Sequence, residues 1–178
     1  MKIIECFAGA GGWSVGLEKA GFVTAAFVEH DKHCQTTLEK NWPGVPIFGD
    51  ITNEQTIADI INFSIENEIK GIVGSPPCQP FSIAGGKKST KDERDLWPYF
   101  MRIIAQVRPA FVLFENVANF TSLAFTRSKI DLENQGYAVQ PFIIPACAVG
   151  ALHRRDRFWC YAKTVANGNG QGLDGRNA

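Results

Sequence analysis

Short apolar runs alternate with helix-patterned stretches along most of the chain, and this alternation constrains the fold more than any other feature. Residues 2–7 read as a strand, followed by Ala8-Gly9-Ala10-Gly11-Gly12 and a helix over 13–20 that Gly21 stops. Residues 23–28 form a second strand. Asp31 is placed to cap a helix running to about Asn41, which Pro43 closes. A short third strand spans 45–48. Thr52 or Asn53 starts a helix to about Asn67, with Ile57, Ile60, Ile61 and Phe63 as its apolar stripe. Residues 70–73 are a fourth strand, 96–107 a helix and 110–114 a fifth strand. A helix over 119–134, a strand over 137–144 and a last strand over 157–161 follow. Strands and helices alternating at these lengths predict an α/β fold with a parallel sheet covered on both faces.

Ligands of such sheets bind at the carboxyl ends of the strands. The chemically notable residues all fall there: the glycine loop after the first strand, Glu29 after the second, Asp50 after the third, Cys78 after the fourth and Glu115 after the fifth. Cys78 sits in Gly74-Ser75-Pro76-Pro77-Cys78-Gln79-Pro80-Phe81-Ser82. Each proline has a fixed φ, and each residue before a proline is pushed toward extended backbone. The thiol is therefore mounted on a stiffened turn, as a nucleophile that must stay aimed at a substrate requires. A rigid strand-to-loop turn that happens to contain cysteine is the alternative.

The glycine loop brings backbone close to a ligand, or simply makes a tight turn. It is not the G-x-G-x-x-G dinucleotide fingerprint, because the third glycine would fall at Ser14, and no Gly-Lys-Ser/Thr follows as in a P-loop. Glu29, twenty residues after Gly9, stands where an acid accepts ribose hydroxyls. Together they favour a ribose-bearing cofactor without a pyrophosphate. Glu115 follows Phe111-Val112-Leu113-Phe114, where desolvation would help a carboxyl donate a proton; a solvated strand-end acid is the other reading. In His153-Arg154-Arg155-Asp156-Arg157, extended backbone would put Arg155 and Arg157 on one face, suited to a phosphate or a polarised carbonyl. A solvated basic loop is the alternative.

At 178 residues the chain is one domain. Its formal net charge is zero, so contact with nucleic acid has to come from local patches. No apolar run approaches membrane-spanning length. The five cysteines (Cys6, Cys34, Cys78, Cys147, Cys160) are odd in number and form no C-x-x-C pair, which argues for a reducing cytoplasm and against a zinc site. Cys6, Cys147 and Cys160 lie among apolar neighbours and read as small core residues. His30, His33 and Cys34 are near one another, but no further metal ligand is evident. Residues 83–94 read as a mobile loop, and the Gly/Asn-rich residues 164–178 as a flexible tail or linker after a domain over 1–163.

Over roughly residues 3–163 the chain resembles the cytosine-C5 DNA methyltransferases. Phe7-Ala8-Gly9-Ala10-Gly11-Gly12 is similar to the family's cofactor loop, Gly74 to Ser82 to its Pro-Cys-Gln motif, Glu115-Asn116-Val117 to its Glu-Asn-Val motif, and Arg155-Asp156-Arg157 to its Arg-x-Arg motif. The resemblance implies a Rossmann-like methyltransferase fold, a mostly parallel twisted sheet with helices on both faces. It implies S-adenosylmethionine as methyl donor, held by the loop with Gly9, Gly11 and Gly12. Phe7 would pack on adenine, Glu29 would bind ribose, and Asp50 with Ile51 would read and flank adenine. The implied substrate is a cytosine flipped out of double-stranded DNA, as in restriction-modification. Cys78 would add to C6, Glu115 would donate to N3, and Arg155 and Arg157 would stabilise the base and the loop. Lys87, Lys88, Lys91 and Arg94 would meet phosphates. His153 and Leu152 stand where the family usually has Gln and Pro. The family carries a target-recognition domain and two further motifs beyond this point, so a complementary subunit or a downstream segment is expected to supply them. An inactive remnant that binds the donor weakly and an RNA methyltransferase of the same chemistry are the competing functional readings.

Overall fold

The structure, a computed structural model, describes residues 1–77, 95–118, 120 and 122–165. Its elements run β1 (Lys2–Cys6), α1 (Gly12–Lys19), β2 (Val23–Val28), α2 (Lys32–Asn41), β3 (Ile47–Phe48), α3 (Glu54–Glu66), β4 (Gly71–Gly74), α4 (Trp97–Val107), β5 (Phe111–Val117), α5 (Ser122–Asn134), β6 (Tyr137–Pro145) and β7 (Asp156–Thr164). The helix starts follow local chemistry. Asp31 accepts from the Cys34 N–H at 2.9 Å to cap α2, and the Asn53 side chain accepts from Gln55 and Thr56 to cap α3.

One seven-stranded sheet has the order β3-β2-β1-β4-β5-β7-β6. All pairs from β3 to β5 are parallel, while β7 runs antiparallel between β5 and β6. The sheet is thus mostly parallel and Rossmann-like, with one reversed strand. Its order turns between β1 and β4, the switch point at which such sheets open a crevice. Gly74 at the end of β4 must be glycine because a Cβ there would lie 2.5 Å from the Cys6 carbonyl oxygen.

The main core lies on one face, where Ile57 and Ile60 of α3 and Phe100, Ile103 and Ile104 of α4 pack on Ile4, Ile72, Val112, Phe114 and Cys160. Burying each such large side chain contributes roughly 1.5–3 kcal/mol. On the other face, Trp13 and Leu17 of α1 pack with Ile3, Val73 and Phe111, and Leu38 of α2 packs with Phe27. This second layer stops short of the sheet's far edge. Val117, Phe142, Ile144 and Tyr161, on that face of β5, β6 and β7, remain exposed.

Several expectations need correction. β5 does not end at Phe114 but continues through Glu115 to Val117, because β7 pairs along its whole length, from Lys163 opposite Phe111 to Arg157 opposite Val117. β7 is longer than expected for the same reason and reaches Thr164, one residue into the stretch read as a tail. β3 is only two residues, since Pro46 brings no N–H to the ladder, although its carbonyl accepts from Phe27. Cys147 is exposed in a 3-10 turn (Ala146–Val149) and is not a core residue. Cys6 and Cys160 are buried as expected; burial pushes the Cys6 thiol far up and the Cys160 thiol to about 12, which keeps both protonated. No helix among the described residues is long and apolar enough to cross a membrane, and no group of three His, Cys, Asp or Glu among them is placed to hold a metal.

Candidate active site

The first strand delivers the chain to the crevice through a loop with three left-handed residues, Phe7, Gly9 and Gly11 (φ 55°, 53° and 84°). A Cβ on Gly11 would lie 2.5 Å from the Trp42 ring, so this position is fixed by both backbone and packing. Gly11→Ala is expected to cost about 2 kcal/mol or more, from the φ penalty plus displacement of Trp42, read as a lower urea midpoint at unchanged m-value. A Cβ at Gly9 or Gly12 would meet nothing within 4 Å, so the loop stays open to a ligand at both.

Gly11 is also the residue before α1, and it has no side chain with which to cap that helix. The neighbouring strand supplies the cap. Glu5, 1% exposed, accepts from the main-chain N–H groups of Trp13 (3.1 Å) and Ser14 (2.8 Å) and from the Ser14 hydroxyl. Burial raises the Glu5 pKa above its ordinary value, against the opposing pull of these hydrogen bonds. Sequence reading passed over Glu5. The available signal was a carboxylate inside an otherwise apolar strand, just before a glycine loop and a helix without its own cap.

Glu29 ties the loop to the end of β2. Its Oε2 accepts from Gly9 N and its Oε1 from Asp31 N, both at 2.8 Å, with His30 Nδ1 3.2 Å away. Each oxygen keeps a lone pair, so a hydroxyl donor can still be accepted. Asp50 accepts from the Thr52 N–H and hydroxyl, both at 2.8 Å; chiefly that backbone hydrogen bond lowers its pKa. Ile51 is buried in the main core, so its side chain packs the sheet beneath the crevice.

Glu115 and Arg157 meet on β5 and β7. Arg157 Nε lies 2.7 Å from Glu115 Oε1, with both side chains about one-fifth exposed (23% and 21%). The carboxylate therefore faces a guanidinium and not the apolar wall expected beside Phe111–Phe114. Arg155 does not share this arrangement. It has φ 34°, lies before β7 and is exposed, so the premise of extended backbone fails and the two arginines do not present one face. Arg154 is occupied by Asp156, at 2.9 Å.

Asn116, buried between these residues, donates from Nδ2 to the Pro76 carbonyl at 3.0 Å. It thereby anchors the stretch that leads to Cys78. Cys78 itself, with Lys87, Lys88, Lys91 and Arg94, lies outside the described residues. A cavity of about 400 Å³ is lined by Glu5, Phe7, Gly12, Trp13, Ser75, Glu115 and Trp159 among others; of the expected site residues it takes in Phe7, Gly12 and Glu115, while Gly9, Gly11, Glu29, Asp50, Ile51, Arg155 and Arg157 are not in its lining. Phe7 reaches it backed by Phe100, whose ring centroid is 5.7 Å away. The site thus offers two acids, an aromatic ring and an open loop in one space. Those features fit a ligand carrying a cation, an aromatic base and a sugar, as S-adenosylmethionine does.

Comparison with known proteins agrees with this architecture. The family model of the C-5 cytosine-specific DNA methylases matches residues 1–169. The type II methyltransferase M.DdeI of Desulfomicrobium norvegicum is 32% identical over 166 residues, covering 88% of this chain and 39% of that protein. The type II methyltransferase M.AquIA of Picosynechococcus is 39% identical over 119 residues, covering 65% of this chain and 48% of that protein. A putative DNA modification methyltransferase encoded within an Escherichia coli prophage superposes with TM-score 0.75 at 29% identity, covering 92% of this chain and 47% of that one. The chain spans about half the length, or less, of these relatives. With this match over residues 1–169 and a mostly parallel Rossmann-like sheet, the chain belongs to the C-5 cytosine-specific DNA methylase family.

Proposed function

We propose that this chain is the donor-binding and catalytic portion of a DNA cytosine-C5 methyltransferase. The observation that carries the reading is a cavity lined together by Phe7 and Gly12 of the cofactor loop, Ser75 at the root of the Pro-Pro-Cys stretch and Glu115, which Arg157 holds from β7. S-adenosylmethionine, the methyl donor of this family, supplies an electrophilic methyl group. The chain's residues hold the donor and activate the acceptor. Phe7 packs on the adenine, Glu29 accepts from the ribose, and Gly9, Gly11 and Gly12 let the main chain approach. Asp50 and the main chain of Ile51 flank the adenine.

A cytosine extruded from double-stranded DNA enters beside Glu115. The Cys78 thiolate forms a bond to C6, and protonation at N3 by Glu115 draws the electron pair toward C5, the position that is methylated. Loss of the C5 proton, expulsion of the thiolate and return of the N3 proton to Glu115 then restore the ring. Arg157 holds Glu115 and stabilises the negative charge it carries after giving up its proton. Arg155, exposed beyond the pair, meets the DNA side. Cys6, Cys34, Cys147 and Cys160 are free thiols, which suits a reducing cytoplasm.

Sequence choice belongs to a complementary part, whether a further segment or a separate subunit. In a filter assay of methyl transfer, the chain alone is expected to bind the donor weakly and transfer little methyl to DNA, and a complementary recognition subunit to raise transfer by more than tenfold, roughly the gain of productive positioning. Robust site-specific methylation by this chain alone would contradict the proposal.

A further inference from the structure

Trp13 is fastened at two ends. Its main-chain N–H is held by Glu5 at the end of β1, and its indole Nε1 donates to Ser75 Oγ at 3.2 Å, just beyond β4. The ring also stands edge-on to Trp159 of β7, with centroids 4.9 Å apart and planes at 74°. Glu5, Trp13, Ser75 and Trp159 all line the cavity.

Ser75 offers a side-chain handle at the start of the following stretch. Gly74 before it has no side chain, and Pro76 and Pro77 after it have no N–H. Asn116 holds the Pro76 carbonyl from the β5 side, and Trp13 holds the Ser75 hydroxyl from the α1 side. A residue that served only to pack α1 on Ile3, Val73 and Phe111 would need no N–H, and phenylalanine would do as well.

We propose that Trp13 is a positioning residue for the donor site, acting through its hydrogen bond to Ser75 to fix the cavity wall between the cofactor loop and the Ser75-Pro76-Pro77 segment. The inference rests on the cavity's being the donor site. It extends that reading to two residues 62 positions apart, Trp13 and Ser75, to which no role has been given above.

The test uses the full chain. With the four tryptophan indoles labelled with nitrogen-15, Ser75→Ala is expected to shift the Trp13 indole signal, assigned by its loss in Trp13→Phe, and to leave those of Trp42 and Trp97 in place. In calorimetric titration with S-adenosylmethionine, Trp13→Phe and Ser75→Ala are each expected to weaken binding about fivefold, the scale of one hydrogen bond. The double variant is expected to bind no worse than either single one, and Ser75→Thr to restore affinity to within about twofold. Thermal midpoints of all four are expected to stay close to wild type.

An indole signal indifferent to Ser75→Ala, additive losses, or variants that bind as well as wild type would overturn the inference while leaving the functional reading intact. Weakened binding that merely tracks a lowered thermal midpoint would overturn it in favour of a packing role. A wild-type chain that binds no S-adenosylmethionine would overturn both.

Discussion

Glu115→Gln is expected to slow methyl transfer roughly 10²–10⁴-fold, the usual loss when a positioned proton donor is removed. The substitution is close to isosteric. Glutamine keeps an oxygen to accept from Arg157 Nε, which now lies 2.7 Å from the carboxylate, so the β5–β7 pairing and the guanidinium's place survive. What is lost is a group that can hand a proton to N3 and carry the resulting negative charge beside Arg157. Donor affinity should change little, because Glu115 is assigned to the base. Single-turnover transfer from labelled S-adenosylmethionine, with the recognition part supplied, reads the rate, and calorimetry reads the affinity. A variant within about threefold of wild type would remove Glu115 from the chemistry, since even modest acid catalysis exceeds that.

Glu5→Ala is expected to cost about 3 kcal/mol in folding stability, measured by urea unfolding, because it leaves two helix N–H groups and the Ser14 hydroxyl without their buried acceptor. The same residue gives stability a pH dependence of definite sign. Its folded pKa lies above the ordinary 4.5, so the folded state binds the proton more tightly than the unfolded chain. The Glu5 contribution is therefore most favourable below pH 4.5 and declines as pH rises from there through the folded pKa. Asp50 acts with the opposite sign: its pKa is lowered, so its contribution is lost as pH falls below the ordinary 3.8. The two windows lie on opposite sides of pH 4, and Glu5→Gln should flatten the decline above 4.5 while leaving the acid limb in place.

Most of the scaffold was legible because its signals are local. Asp31 and Asn53 cap their helices in the way their side chains and positions predict, and the buried strands β1, β2 and β4 are apolar runs. The reach of β5 through Glu115 was hidden because it depends on β7, more than forty residues downstream. Arg155 could not be placed from side-chain alternation, since its positive φ breaks the extended backbone on which alternation depends. Cys147 has apolar neighbours in sequence, yet a 3-10 turn carries it to the surface.

The glycine loop, Glu29 and Glu115 stand out in the sequence because each is at or near the end of an apolar strand. Glu5 does not, because it looks like part of the strand it interrupts. Its value emerges only when Gly11 is seen to leave α1 without a cap. Trp13 and Ser75 meet across 62 residues, a pairing that no local pattern encodes.

The central claim is that this chain supplies both the donor pocket and the nucleophile of a cytosine-C5 methyltransferase. It is tested most directly by trapping: the chain, with a complementary recognition subunit and S-adenosylmethionine, is incubated with duplex DNA carrying 5-fluorocytosine at the target, and the denatured complex is mapped by peptide mass spectrometry. The expected result is a stable adduct whose protein attachment is the Cys78 sulfur and which Cys78→Ala abolishes. An adduct that survives Cys78→Ala, or maps to another residue, would contradict the claim.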